Sequence, residues 1–285
     1  MSLIGTLTSG VSALRTFSKG LEVIGNNIAN VNTTGYKSSN ATFSESFSNT
    51  LRGSAPSNGT VSSQSSIQVG TGVQLSSISN NFTQGALNST GNSSDLGISG
   101  RGFFIVKDAT SGTQYATRDG QFRVDDNGYL VTQSGMRVQG LTGATLTTVG
   151  DIRIGQSLPV GAQLQSMSID TAGNVVEFYS DGTSATTNRV QLQNFNDTSA
   201  LQKEGSNRYS GLTAAGPVGG GILAGGNDPG SNGLGNIQSG TLESSNVDLT
   251  QQFSDLITTQ RSFQAGARLI TVSDTVLEDI VNLKR

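Results

Sequence analysis

Residues 245–285 read SNVDLTQQFSDLITTQRSFQAGARLITVSDTVLEDIVNLKR, and the spacing of their apolar residues decides the fold. Leu249, Phe253, Leu256, Gln260, Phe263, Ala267, Ile270, Asp274, Leu277 and Val281 succeed one another in steps of four and three, and eight of these ten are apolar. A heptad pattern sustained over more than four repeats predicts a long helix with an apolar seam. Ser245, with Asp248 three places on, reads as its N-cap box, and no proline interrupts the chain from there to Arg285. Gln260 and Asp274 are either imperfections of the seam or positions that penalise slipped registers; the second reading is preferred.

A seam of this length calls for a partner, because an apolar stripe left in water is costly. The other end of the chain supplies one. Leu3, Leu7, Gly10, Leu14, Phe17, Leu21, Ile24, Ile28 and Val31 also step by four and three, with eight of nine apolar. Two ordinary amphipathic helices on a globular core would satisfy this pattern. Two long terminal helices around a helix-poor middle favour a coaxial pair built for assembly. Gly5, Gly10, Gly20 and Gly25 interrupt the first helix at about 1 kcal/mol each against alanine. They mark either a weak helix tolerated by context or faces where a neighbouring helix comes close, and the regular seam favours the latter.

Composition removes whole classes of function. The chain has no Cys, His or Trp. Without them there is no thiolate nucleophile, no Ser-His or Cys-His pair, and no imidazole or thiolate site for zinc or iron. No catalytic, cofactor or metal site is expected, and the protein is not read as an enzyme. Only 13% of residues are charged and the net charge is −3, which gives no basic footprint for nucleic acid. No run approaches the length of a membrane-spanning helix, and the first residues lack the basic and apolar regions of a cleaved signal peptide.

Between the helices the period changes. Residues 37–72 are rich in Ser, Asn and Gly and read as an extended linker, with a short amphipathic turn at Phe43, Phe47 and Leu51. From Val73 to Glu243, pairs such as Val73 and Leu75, Phe122 and Val124, Tyr129 and Val131, Met167 and Ile169, and Val190 and Leu192 repeat every second residue, as half-buried strands require. Asp119-Gly120, Asn127-Gly128 and Asp181-Gly182 read as tight turns. Arg101-Gly102-Phe103-Phe104-Ile105-Val106 is apolar enough to sit in the core, and 216–235 reads as an irregular glycine-rich loop. The fold class is therefore α+β. Residues 1–36 and 244–285 form a discontinuous coiled-coil core of two heptad helices, 37–72 a linker, and 73–243 an antiparallel, mainly-β domain.

Other short motifs carry little. Asp125-Asp126-Asn127-Gly128 resembles a calcium loop but has Arg123 and Ser134 where acids would be needed, so it reads as a hairpin turn. Gly100-Arg101-Gly102 and Gly70-Thr71-Gly72 lack the context of a nucleotide fingerprint. Asn-x-Thr triplets such as Asn81-Phe82-Thr83 and Asn88-Ser89-Thr90 are what this composition produces by chance.

Three stretches carry a resemblance. They are Gly25-Asn26-Asn27-Ile28-Ala29-Asn30-Val31-Asn32-Thr33-Thr34-Gly35-Tyr36-Lys37, then Glu243-Ser244-Ser245-Asn246-Val247-Asp248-Leu249, then Thr259-Gln260-Arg261-Ser262-Phe263-Gln264. Together with Asp95-Leu96-Gly97-Ile98-Ser99-Gly100-Arg101-Gly102-Phe103-Phe104 they resemble the bacterial flagellar rod and hook axial proteins. The resemblance implies a helical homopolymer with the terminal helices inside and the β domain outside. It implies passage through the flagellar export apparatus without cleavage, and contact with adjoining rod, junction and hook-cap proteins. It implies no membrane insertion and an extracellular place in the hook-basal body. The family motif maps to Asn26, Asn27, Asn30, Gly35, Tyr36, Lys37, Ser245, Asn246, Val247, Asp248, Gln260 and Arg261. Self-assembly would rest on Leu7, Leu14, Phe17, Leu21, Ile24, Ile28, Leu249, Phe253, Leu256, Phe263, Ile270, Leu277 and Val281. The closing Val281-Asn282-Leu283-Lys284-Arg285 resembles the hook protein, although the chain is short for a hook protein's inserted second β domain. The distal rod protein is the alternative within the family, and a secreted coiled-coil β adhesin or tip protein is the alternative outside it.

Overall fold

The computed structural model describes residues 2–54, 56, 63–143, 146–156, 162–223 and 227–283. The chain divides into two compact units, a helical unit drawn from residues 1–29, 39–81 and 248–285, and a β unit drawn from 30–38 and 82–247.

In the helical unit, α1 (Ser2–Ala29) and α2 (Leu249–Leu283) pair along their lengths. Thr6 meets Ser273 at 3.1 Å, Gly10 lies against Gly266 and Ile270, Gly20 against Thr259, and Asn27 donates to Gln252 at 2.9 Å. Ascending numbers on one helix meet descending numbers on the other, so the pair is antiparallel. The α2 residues in these contacts, Gln252, Thr259, Gly266 and Ser273, recur every seven, with Leu256, Phe263 and Ile270 between them and Leu249 and Leu277 continuing the spacing at either end. This line coincides with the expected seam at those five apolar residues. Phe253, Gln260, Ala267 and Asp274 stand one residue further on. The helices meet closely through small and hydroxyl side chains, because a Cβ at Gly10 would come within 2.9 Å of Ile270 Cγ1.

The N-cap of α2 is Asp248 rather than Ser245. Asp248 Oδ1 accepts from the backbone N–H of Thr250 at 2.8 Å and of Gln251 at 3.3 Å, while Ser245 Oγ accepts from Val247 N outside the helix. An ionised carboxylate satisfies the unpaired first-turn donors and faces the positive end of the helix. Asp248→Ala is expected to cost about 1 kcal/mol of helical stability, read by denaturant titration with far-UV circular dichroism, whereas Ser245→Ala leaves the curve in place.

Residues expected as linker are paired strands. β1 (Ser39–Glu45) pairs with β4 (Val73–Asn80), and β2 (Ser48–Arg52) with β3 (Ile67–Gly70), both antiparallel. These ribbons belong with the helices, so the β unit takes up the chain again at Phe82 rather than at Val73. Phe43 packs edge-on against Phe17 at 5.7 Å, and Val73 is tied to α1 by Ser12 Oγ and Thr16 Oγ1. Phe43, Phe47 and Leu51 are therefore strand and ribbon residues, not one face of a helical turn.

The β unit is antiparallel throughout. Its strands are β5 (Leu87–Ser89), β6 (Leu96–Ser99), β7 (Phe103–Lys107), β8 (Gln114–Thr117), β9 (Phe122–Val124), β10 (Leu130–Thr132), β11 (Arg137–Thr142), β12 (Thr148–Asp151), β13 (Leu164–Ile169), β14 (Asn174–Tyr179), β15 (Ser184–Val190), β16 (Leu192–Gln193), β17 (Gln202–Gly205), β18 (Arg208–Ser210), β19 (Asn236–Ser239) and β20 (Thr241–Glu243). The main sheet runs β13-β14-β15-β11-β7-β8-β18-β17, and β6 with β19 and β5 with β20 form small ribbons. Strand β7 explains the run Phe103–Val106. Phe104 and Val106 enter one core with Leu96, Leu130 and Val190, while Phe103 and Ile105 enter a second with Phe195, Tyr209 and Leu223. Both faces are buried, so period two gives way to a continuous apolar stretch.

Two expected turns close hairpins. Asp125 Oδ1 accepts from Asn127 N and Tyr129 N between β9 and β10, and Gly128 has φ +84°; Gly182, with φ +83°, closes β14 onto β15. Asp119-Gly120 does not, because β8 and β9 pair with other strands and not with each other. Gly120 is there for space: any Cβ would collide with Leu96 O.

Candidate assembly interface

The two units bury their apolar residues very differently. Among the described residues, every buried hydrophobic side chain of the core lies in the β unit. Of the twenty large hydrophobic side chains left exposed, only Val124, Val149, Leu164 and Phe178 belong to the β unit, and the other sixteen belong to the helical unit. Phe253 is 50% exposed, Val281 67%, Phe47 83% and Leu283 86%. Leu7, Leu14, Phe17, Leu21, Ile24 and Ile28 on α1, with Leu256, Phe263, Ile270 and Leu277 on α2, are half-buried, and Leu249, Phe253 and Val281 are exposed. The antiparallel pair covers one stripe of each helix and leaves others open. Exposed apolar surface on this scale marks an interaction face.

The family-motif residues divide between the units. In the helical unit, Asn27 is buried, with Oδ1 accepting from Ser39 N and Nδ2 donating to Ser39 O, so its amide pairs as a strand neighbour would. Asn26, Gln260 and Arg261 are exposed, and Arg261 reaches Gln264 at 3.4 Å. In the β unit, Asn30 accepts from Thr33 to turn the chain, and Ser38 N donates to Asn246 Oδ1 at 2.8 Å. Asn246 Nδ2 also donates to Thr83, and Val247 is half-buried. Gly35, at φ +65°, donates to Glu243 O at 2.8 Å, and a Cβ there would lie 2.6 Å from Asp119 N. Both the conformation and the space require glycine.

Lys37 is legible in the sequence as a motif residue but not as a buried charge. It is 0% exposed, and its Nζ donates to Glu243 Oε1 and Thr83 O, both at 2.7 Å. Glu243 Oε1 also accepts from Gly85 N, and its Oε2 pairs with Arg118 Nη1 at 3.3 Å. Arg118 Nη2 donates to Gly100 O, its guanidinium stands over the Phe103 ring, and its Nε has no partner among the described residues. One carboxylate thus faces two buried cations. Burial pushes the Lys37 ammonium below the ordinary lysine range, even with Glu243 beside it. No local pattern joins Arg118 and Glu243 to Lys37, since Glu243 stands 206 residues from it.

Burial raises the phenols of Tyr36, Tyr209 and Tyr179, the last to about 12 with Glu177 Oε2 holding its proton at 2.6 Å. The folded β unit keeps these protons when the unfolded chain begins to lose them near pH ~10. Their contribution to stability is therefore complete below about pH 10 and is lost as pH rises through the folded values. Lys37 acts oppositely, since its lowered pKa lets stability grow as pH approaches the ordinary lysine value from below. Melting of the full chain, followed by near-UV circular dichroism, is expected at falling temperature above about pH 10, with a smaller fall in Tyr179→Phe. A profile that stays flat to pH 12 contradicts the burial of these phenols.

Among the described residues no cluster of three or more acidic side chains could hold a metal ion, and no helix is long and apolar enough to cross a membrane.

Residues 7–37 match the family described as flagella basal body rod protein, 97–177 the flagellar hook protein FlgE/F/G D1 domain, and 238–283 the flagellar basal body rod FlgEFG protein C-terminal region. The chain is 38% identical to the flagellar basal-body rod protein FlgG of Bacillus subtilis (strain 168), over 99% of this chain and 100% of the relative. It is 32% identical to FlgG of Agrobacterium fabrum (strain C58), over 96% of each. It is 44% identical to the flagellar hook protein FlgE of Helicobacter mustelae, over 48% of this chain and 31% of the relative. Similarity that runs from end to end, through both helices and the β unit between them, makes the chain a member of the flagellar rod and hook axial protein family.

Proposed function

We propose that the chain is a rod-type axial subunit that polymerises through its helical unit into a helical tube in the flagellar basal body. The observation that carries self-assembly is the concentration of exposed apolar side chains on the helical unit, beside a β unit with a complete core. Such a unit gains most of its burial only when copies associate. Rod is favoured over hook because the rod relatives align along nearly their whole length at 32–38% identity over 278–290 positions. A full-length hook alignment, to the Borreliella burgdorferi protein, needs 449 positions and falls to 25%, and the Helicobacter hook protein is matched over 31% of its own length. The hook reading keeps support from the higher identity of that shorter match. On either reading the partners are further copies of the chain, the axial proteins above and below, and the flagellar export apparatus.

Electron microscopy of basal bodies isolated from a strain lacking the gene separates the readings. A rod subunit leaves basal bodies whose rod stops short and carries no hook, while a hook subunit leaves a finished rod without a hook. Complete hooks on motile cells would overturn both and favour a secreted adhesin.

A further inference from the structure

We propose that the exposed stripe of α2 formed by Leu269, Val272, Val276, Ile280 and Leu283 seats in a groove of a second copy of this chain, between α1 and the start of β4. The proposal rests on the self-assembly reading and names the surfaces that meet.

The stripe is built by steps of three, four, four and three, so its five side chains share one face of α2. All five are exposed. It lies beside the line Gly266, Ile270, Ser273 and Leu277 that tracks α1 and extends beyond it. Counting back from the contact of Thr6 with Ser273, Ser2 stands level with Leu277, so Glu278–Leu283 continues past the first turn of α1. At about 1.5 Å per residue the stripe is roughly 21 Å long.

The groove has a volume of about 580 Å³. Leu7, Val11 and Arg15, four residues apart on α1, form one wall, and Val73 and Leu75 of β4 form the other. A trough with one helical wall and one strand wall, carrying Leu7, Val11, Val73 and Leu75 with the hydroxyls of Ser12 and Thr16 between them, is shaped for the ridge of a helix.

Charge points to the same occupant. Arg15 is the single charged residue of the groove, and it makes no ion pair among the described residues. On α2, Asp279 lies at the edge of the stripe, with Arg268 about three turns back along the same edge, while Asp274 and Glu278 lie on the opposite face, and Asp279 makes no ion pair among the described residues. Stripe and groove are different patches of one chain, so each copy offers a free stripe and a free groove after joining its neighbour. That is the heterologous contact from which open helical polymers grow.

The chain has no cysteine, which permits a clean test. Val11→Cys and Ile280→Cys chains are mixed, polymerised and oxidised, and the expected result is a disulfide-linked dimer that neither population gives alone. Val276→Cys with Leu75→Cys supplies the same readout if either first variant fails to polymerise. Arg15→Glu is expected to raise the concentration needed for polymer about tenfold, and Asp279→Arg in the same chain to restore it. Normal polymer without the mixed link overturns the groove assignment and leaves self-assembly standing. A parent chain that forms no polymer at all overturns the self-assembly reading, and the groove assignment falls with it. Linkage of either cysteine to a different protein in cells, with none between copies, assigns the groove to another occupant and also overturns the proposal.

Discussion

Glu243→Gln is expected to destabilise the β unit by about 3–5 kcal/mol, because it strands two buried cations. Lys37 and Arg118 are both out of water, and Glu243 is the one anion paired with either among the described residues. The amide keeps the shape and can still accept from Gly85 N, so the loss reports charge rather than packing. Lys37→Met is the informative contrast. It removes one cation from a cluster with an excess of cations, and each acceptor it leaves retains another donor: Gly85 N for Glu243 Oε1, and Asn246 Nδ2 for Thr83 O. The smaller loss should belong to Lys37→Met, and adding it to Glu243→Gln should recover part of the stability. Denaturant unfolding of the full chain, read by near-UV circular dichroism, measures all three. Equal losses in the two single variants would show that the cluster acts through packing and not through its charge balance.

Leu256→Asp should abolish polymer while leaving the β unit folded. Leu256 sits between Gln252 and Thr259, both of which touch α1, so the new carboxylate enters the line where the helices meet. An unpaired charge in an apolar contact costs several kcal/mol, and every added subunit repeats it. Each ~1.4 kcal/mol moves the concentration required for growth tenfold, so the shift reaches orders of magnitude. Thr183→Ala is the control: its side chain is exposed and bonds only to Asp181 within a turn of the β unit. Sedimentation of polymer, with motility of cells carrying each variant, gives the answer. Normal polymer from Leu256→Asp and none from Thr183→Ala would move the assembly contacts into the β unit.

The helices, the Phe103–Val106 core strand and two hairpins are legible in the sequence because each rests on a local period or a glycine with positive φ. The facing of the helices is not. A heptad pattern is traced by large apolar residues, whereas the closest approach of α1 and α2 is made by Gly10, Gly20, Gly266, Thr259 and Ser273. Small residues give no hydropathy signal, and the seam residue Phe253, one step away, is left exposed in the single chain. Residues 39–52 are obscure for a related reason: their Ser, Thr and Asn side chains sit on ribbons held by backbone pairing, with little burial to impose alternation. The motif around Lys37 is visible as a pattern, but the carboxylate that explains it arrives from the far end of the sequence, where proximity cannot be read.

The clasp around Glu243 also has a mechanical meaning. Where the chain enters the β unit at 30–38 and leaves it at 243–247, the two passes are fastened by Gly35 N to Glu243 O, by Lys37 to Glu243, and by Ser38 N to Asn246. A pull delivered along one pass and drawn off along the other crosses this fastening directly. The long sheet from β13 to β17 hangs outside that load path, as a pendant on a closed ring does, and tension between the chain's two ends bypasses its core.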